Sequence, residues 1–116
     1  MNPHPVSPVT VFKAMGDELR LAALLLILDQ GKLCVCEVME AFAAPQPKVS
    51  RHLSTLRDAG LLDAERCGQW VYYYLSPRLP AWLSQVLTET ANANGELIRT
   101  PLARLEAMKD RPERCF

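Results

Sequence analysis

The stretch that most constrains this chain is residues 46–60, QPKVSRHLSTLRDAG. Val49, Leu53 and Leu56 fall at i, i+4 and i+7 and so share one face of a helix. Lys48, Arg51, Ser54, Thr55 and Asp58 project from the other side. Pro47 suits a first turn, where a missing N–H costs no partner, and Gly60 stands where a helix closes. The segment predicts a helix of about three turns with an apolar back and a basic, hydroxyl-rich front. Taken alone, this is also the pattern of an ordinary surface helix with a solvated face. The next residues narrow the choice. Residues 61–75 switch to period two, with Val71, Tyr73 and Leu75 on one face, Trp70, Tyr72 and Tyr74 on the other, and Gly68 at the turn. A helix followed by a hairpin is the layout of a winged helix-turn-helix.

The upstream residues supply the rest of such a domain. Residues 1–8 carry three prolines and read as a loose arm, and residues 9–14 as a short amphipathic helix. Asp17 is placed to cap a second helix from 18 to about 30. That helix is apolar nearly all round (Leu19, Leu21, Leu24, Leu25, Leu26, Ile27, Leu28), so it is the expected spine of the core. Residues 33–43 form a third helix with Val35, Val38 and Phe42 inward. Only residues 43–45 separate it from the basic helix, which gives a helix-turn-helix whose second member enters the major groove in DNA-reading proteins. A long helix is expected over residues 81–100, with Trp82, Leu83, Val86 and Leu87 as its stripe and Pro101 stopping or kinking it. From Met108 the tail is charged and expected to be mobile. The domain proper is thus residues 9–100, flanked by an arm (1–8) and a tail (101–116). Its class is mainly α with a small β-hairpin. The first helix and the Trp82 helix carry apolar residues that so small a core does not obviously cover, which points to a homodimer. A monomer with those helices folded back is the alternative.

At 116 residues, 49% hydrophobic and 22% charged, the chain has the composition of one globular domain. No apolar run approaches the roughly 20 residues needed to span a bilayer, and no signal peptide is evident, so a cytoplasmic location is expected. The formal net charge is zero. Residues 45–78, however, carry an excess of cations (Lys48, Arg51, Arg57, Arg66 and Arg78 against Asp58, Asp63 and Glu65), and a dimer would double it. Nucleotide-binding glycine motifs, H-E-x-x-H and a phosphatase-like thiol loop are all absent, which argues against an enzyme.

Four cysteines remain: Cys34, Cys36, Cys67 and Cys115. In a reducing cytoplasm they are expected to be thiols. Cys34 and Cys36 open the third helix. In a regular helix, residues i and i+2 point about 200° apart and would not share an ion. The constraint relaxes if the first residue is non-helical, and a helix N-terminus lowers thiol pKa values. Two readings stand: a chelating pair for a thiophilic ion whose binding distorts this helix, or two small apolar core residues. Histidine is confined to His4, in the arm, and His52, in the basic helix. His52 is either a packing residue or a contact to base or phosphate. A His and carboxylate zinc site on the Trp82 helix is excluded, because that helix has no histidine.

The segments DELR (17–20), LCVCE (33–37), QPKVSRHL (46–53), LRDAGLL (56–62) and GQWVYYYL (68–75) together resemble the ArsR (ArsR/SmtB) family, within it the arsenical-resistance operon repressors. The resemblance runs from about residue 9 to residue 100. It implies a homodimeric winged-helix repressor that leaves its operator when an inducer binds. Carried over by position, it makes Cys34 and Cys36 ligands of As(III) or Sb(III). It places Gln46, Lys48, Ser50, Arg51, His52 and Ser54 on the DNA-facing part of the reading helix, and Arg66 and Gln69 in the wing. The first helix and the Trp82 helix become the dimer interface.

Two positions depart from that pattern. Met39 stands where many such repressors have a third cysteine, and a thioether is a weak ligand for an ion that prefers three thiolates. The third sulfur then comes from Cys115, Cys67 or a small thiol in solution; the last is favoured because neither cysteine is near the pair in sequence. Pro45 stands where relatives often have Ser, and the absence of such a cap costs about 1 kcal/mol. The rival expectations are a repressor that senses thiol oxidation or a soft divalent metal (Cd, Pb) through the same cysteines, and a winged helix used only for protein–protein contact.

Overall fold

A computed structural model describes residues 6–112. His4, Cys115 and the first five residues of the expected arm lie outside the described residues. Side-chain caps set the first two helices. The Ser7 hydroxyl accepts the Thr10 N–H at the start of α1 (Pro8–Met15), and Asp17 Oδ2 accepts the Arg20 N–H at 3.0 Å at the start of α2 (Glu18–Gln30). From Ala22 to Ile27 every residue of α2 is buried, so α2 is the spine that its all-round apolar sequence requires. Gly31 ends it at φ +88°, a conformation that costs glycine little.

The next residues form a short strand, β1 (Leu33–Cys34), where the apolar spacing predicts the start of the third helix. Helix α3 (Val35–Phe42) therefore starts two residues late, with Cys34 extended at its N-cap (φ −85°, ψ 165°). Strands β2 (Leu62–Cys67) and β3 (Trp70–Leu75) make the expected hairpin, and β1 adds to it in the antiparallel order β1-β3-β2. The register separates the two faces of the sheet. Leu33, Tyr73 and Ala64 align on the face that packs into the main core. Cys34, Tyr72 and Glu65 align on the other, where Cys34, Cys67 and Tyr72 form a second small cluster with Cys36 and Trp70 packed against it.

Helix α4 (Gln46–Asp58) follows α3 across a tight turn in which Ala43 adopts the left-handed conformation (φ 49°, ψ 47°). Val49, Leu53 and Leu56 are fully buried, as their spacing predicts. Truncating one such leucine typically costs about 2–5 kcal/mol, so the placement of α4 on the core is firm.

The expected single helix over residues 81–100 is divided. Helix α5 (Ala81–Ala93) stops at Asn94, a 3-10 turn covers Gly95–Ile98, and α6 (Arg99–Glu106) follows. The Asn94-Gly95 pair explains the break, since both residues disfavour a helix interior. The Asn94 amide also donates to the Thr90 carbonyl at 3.0 Å and satisfies one orphan acceptor. Pro101 neither stops nor kinks a helix; it sits in the first turn of α6, where it lacks no partner. Helix α6 runs across residue 100, where the sequence pattern puts the domain boundary, and packs against α3 with Leu105 fully buried. The tail beyond it is held too. Arg111 donates from Nε to Glu37 Oε2 at 2.7 Å and from Nη2 to Gln30 Oε1 at 3.3 Å. Counting charges in the tail gives no hint that one of them has a buried partner. Among the described residues, no helix is long and apolar enough to cross a membrane.

Val9, Phe12 and Trp82 are the exposed large hydrophobic residues among those described, at 66%, 50% and 39%. Phe12 and Trp82 touch across α1 and α5, with ring centroids 6.1 Å apart.

Candidate functional site

On α4 the polar residues sort by direction. Gln46, Lys48, Arg51 and Ser54 are exposed and Ser50 is half-exposed, on the side opposite Val49, Leu53 and Leu56. Pro45 at the N-cap supplies no side-chain hydrogen bond, so the first N–H groups of α4 face outward without a protein side-chain cap. Lys48 turns toward an open cleft of about 700 Å³, shared with Asp17, Glu18, His52 and Arg104. At the hairpin tip, Arg66 and Gln69 are exposed on either side of Gly68 (φ +61°).

His52 points elsewhere. Its Nδ1 lies 3.0 Å from Arg20 Nη1 and 4.0 Å from Asp17 Oδ2, with the side chain 14% exposed. A guanidinium can only donate, so Nδ1 accepts and the ring is neutral with its proton on Nε2. Burial lowers the His52 pKa below its usual value, and Arg20, Arg51 and Lys48 add to this against the pull of Asp17. Through this nitrogen His52 ties α4 to the start of α2. Arg20 completes the tie through Nε to the Ala14 carbonyl at 2.6 Å.

The thiol site is built by the N-cap of α3. Because Cys34 is extended rather than helical, the 200° divergence expected for i and i+2 does not apply, and the Cys34 and Cys36 thiols are in hydrogen-bonding contact. Cys34 is 1% exposed, and Cys36 is half-buried at the edge of the cluster. Both are free thiols. Glu37 closes a capping box: its Oε1 accepts the Cys34 N–H at 2.9 Å, and its own N–H is given to the Cys34 sulfur. The expectation that the helix N-terminus lowers the thiol pKa fails at Cys34. Burial, then the hydrogen bond with Cys36, raise it, and these outweigh the Glu37 N–H.

Glu37 is the residue that sequence reasoning missed. It is fully buried, and it joins the Cys34 cap to Arg111 of the tail. A signal existed: Glu stands three residues after the N-cap, the capping-box spacing, disguised because Cys replaces the usual Ser or Thr.

The other candidate sulfurs differ in placement. Met39 packs against the main core rather than the thiol cluster. Cys67 is disulfide-bonded, contrary to the expectation of four thiols; it lies on β2, paired with Trp70, and shares the buried cluster with Cys34 and Tyr72. Among the described residues, no group of three or more His, Cys, Asp or Glu side chains is placed to hold a metal ion. Cys34 and Cys36 are the free thiols of this cluster.

Residues 17–64 match the family model for "Bacterial regulatory protein, arsR family". The chain is 48% identical over 109 residues to the arsenic resistance transcriptional regulator ArsR2 of Pseudomonas putida, covering 94% of this chain and 95% of that protein. It is 41% identical over 98 residues to the arsenical resistance operon repressor of Escherichia coli, covering 84% of each. Among solved structures, it superposes on the homodimeric winged helix-turn-helix domain Mb0332 of Mycobacterium bovis with a TM-score of 0.61, at 21% identity, covering 83% of this chain and 92% of that one. With a helix-turn-helix, a hairpin wing and relatives of this similarity over nearly its whole length, the chain belongs to the ArsR family of bacterial transcriptional regulators.

Proposed function

We propose that this protein is a homodimeric repressor of an arsenic-resistance operon, released from its operator when As(III) or Sb(III) binds Cys34 and Cys36. The carrying observation is the pair of free thiols in mutual contact at the N-cap of α3, one tight turn away from α4. The names of the relatives at 41–48% identity support the operon assignment.

In this reading α4 lies in the major groove. Arg51, Ser50 and Ser54 meet base edges and phosphates, Gln46 and Lys48 flank them near the helix start, and Arg66 and Gln69 of the wing reach the adjoining backbone. His52 positions α4 on α2 instead of contacting DNA. The partner copy covers Val9, Phe12 and Trp82.

Release follows from the cap. Joining both sulfurs to one centre takes the Cys34 sulfur away from the Glu37 N–H and pulls Cys36 inward. The first turn of α3 then has to adjust, at a cost of about 1–2 kcal/mol in weakened capping. The inducer shifts the equilibrium because it favours the adjusted geometry, and α4 follows α3 through the tight turn that joins them. A response to thiol oxidation is the second reading, favoured by the contact between the two sulfurs and by the oxidised state of Cys67.

The test is fluorescence anisotropy on the duplex upstream of the protein's own gene, in reducing buffer, with and without arsenite. The proposal predicts tight binding that arsenite abolishes. Tight binding indifferent to arsenite returns the pair to a structural role, and release by an oxidant in metal-free buffer selects the second reading.

A further inference from the structure

Helix α6 packs against α3 and brings an arginine to the flank of the helix-turn-helix. Arg104 is exposed, and its Nη1 lies 3.5 Å from the carbonyl of Ala41, in the last turn of α3 just before the tight turn into α4. It shares the open cleft of about 700 Å³ with Lys48, in the first turn of α4, and with Thr100, one turn earlier on its own helix. The acids of that cleft, Asp17 and Glu18, stand at the start of α2, where Asp17 Oδ2 is engaged as the cap. Arg20 and Arg111 are committed to internal partners. Arg104, among the described residues, has no carboxylate within 4.0 Å.

We propose that Arg104 contacts the DNA backbone, so that α6 extends the duplex-binding surface beyond the reading helix and the wing. The inference rests on the operator-binding reading above and adds a phosphate contact to it. In helix-turn-helix docking, the N-terminal residues of the second helix enter the groove while the first helix crosses the backbone. A cation at the last turn of α3, sharing a cleft with Lys48 at the start of α4, therefore stands where a phosphate beside the groove passes. A guanidinium has five N–H donors, and the Ala41 carbonyl takes one of them. The others are available to grip phosphate oxygens in the two-pronged geometry of arginine. The first N–H groups of α4 have no side-chain cap and add partial positive charge on the same flank. The alternative is a structural role, in which Arg104 satisfies an orphan carbonyl at the C-terminal end of α3. At 3.5 Å that hydrogen bond is too long to account for the residue by itself.

The experiment measures operator affinity against salt for full-length wild type, Arg104→Gln and Arg104→Lys, by fluorescence anisotropy in reducing, metalloid-free buffer. Glutamine can still donate to the Ala41 carbonyl but carries no charge. Log affinity of Arg104→Gln should be less steep against log salt by about 0.9 per protomer, or about 1.8 per dimer. Its deficit relative to wild type should therefore shrink about ten-fold between about 50 mM and about 200 mM salt. The deficit should be the same on the operator and on an unrelated duplex, because a phosphate carries no sequence information. Arg104→Lys should restore the slope. Ethylation of single phosphates maps the contact: a site in each half-operator should weaken wild type and leave Arg104→Gln unaffected. A wild-type slope and interference pattern in Arg104→Gln overturns the inference while sparing the repressor reading. Equal losses of affinity in Arg104→Gln and Arg104→Lys, with a lowered Tm in both, also overturn it, in favour of the structural role. Absence of salt-dependent duplex binding by the wild type overturns the repressor reading itself.

Discussion

Glu37 carries two loads: the cap of α3 and the anchor of the tail. A double-mutant cycle with Arg111 separates them. In Glu37→Gln the amide oxygen still accepts the Cys34 N–H, but the NH2 group now faces the Arg111 Nε donor that sits 2.7 Å from Oε2. A hydrogen bond to a charged group is worth about 1.5–3 kcal/mol. Glu37 is fully buried, but Arg111 is 29% exposed, so solvent screens one partner and the lower half of that range applies. Each of Glu37→Gln and Arg111→Gln should cost about 1–2 kcal/mol, which is about 4–8 °C in Tm for a chain of this size. The double variant should cost only slightly more than either single, for a coupling of about 1 kcal/mol. Urea denaturation at one fixed protomer concentration, with unchanged m-values, measures all four corners. Additivity within about 0.3 kcal/mol would show that Arg111 does not lock onto Glu37 and would refute the account of the tail.

Other expectations follow from single features. Ala43 is exposed and holds a left-handed conformation (φ 49°), so Ala43→Gly should stabilise the protein by about 0.5–1 kcal/mol, read as a rise in Tm; no change or a decrease would contradict the strain. The His52 pKa is lowered in the fold, chiefly by burial, so the unfolded chain binds the proton more readily. Stability is then fully present above the unfolded pKa of about 6.5 and is lost as pH falls below it toward the folded value. His52→Gln should flatten that slope, with Asp17, Arg20, Arg51 and Lys48 in place around it, and an unchanged slope would refute the assignment. Lys48→Ala or Arg51→Ala should weaken operator binding and make log affinity less steep against log salt, by about 0.9 for each phosphate no longer neutralised and so about two per dimer; an unchanged slope would mean that the residue does not touch the DNA backbone.

The parts of the fold that are legible in the sequence have a long period to read. Val49, Leu53 and Leu56 recur over about two turns, and the alternation in β3 runs for six residues, so the reading helix, the wing and the two faces of the sheet follow directly from pattern. Strand β1 is two residues long and cannot show a period, and it is this strand that makes Cys34 extended and brings the two sulfurs together. The division between α5 and α6 is signalled by Asn94-Gly95 but masked by the apolar residues on both sides. The charge of Arg111 is visible and its partner is not, because Glu37 lies 74 positions away in sequence and its burial is a tertiary fact. At the thiol site, residue identity is legible from the C-x-C spacing. The effect of burial on Cys34, the oxidised state of Cys67 and the turning of Met39 into the main core all depend on packing that spacing does not encode.

Cys34→Ser and Cys36→Ser in the operator anisotropy assay give the most direct test of thiol control over DNA binding. Serine fits either position, and at Cys34 its hydroxyl can still accept the Glu37 N–H. Both variants should therefore bind the operator within about two-fold of wild type, a difference of under about 1 kcal/mol, and neither should be released by arsenite. Release of either variant at wild-type arsenite concentrations would contradict the claim that this pair of thiols, at the N-cap of α3, controls the grip of α4 on DNA.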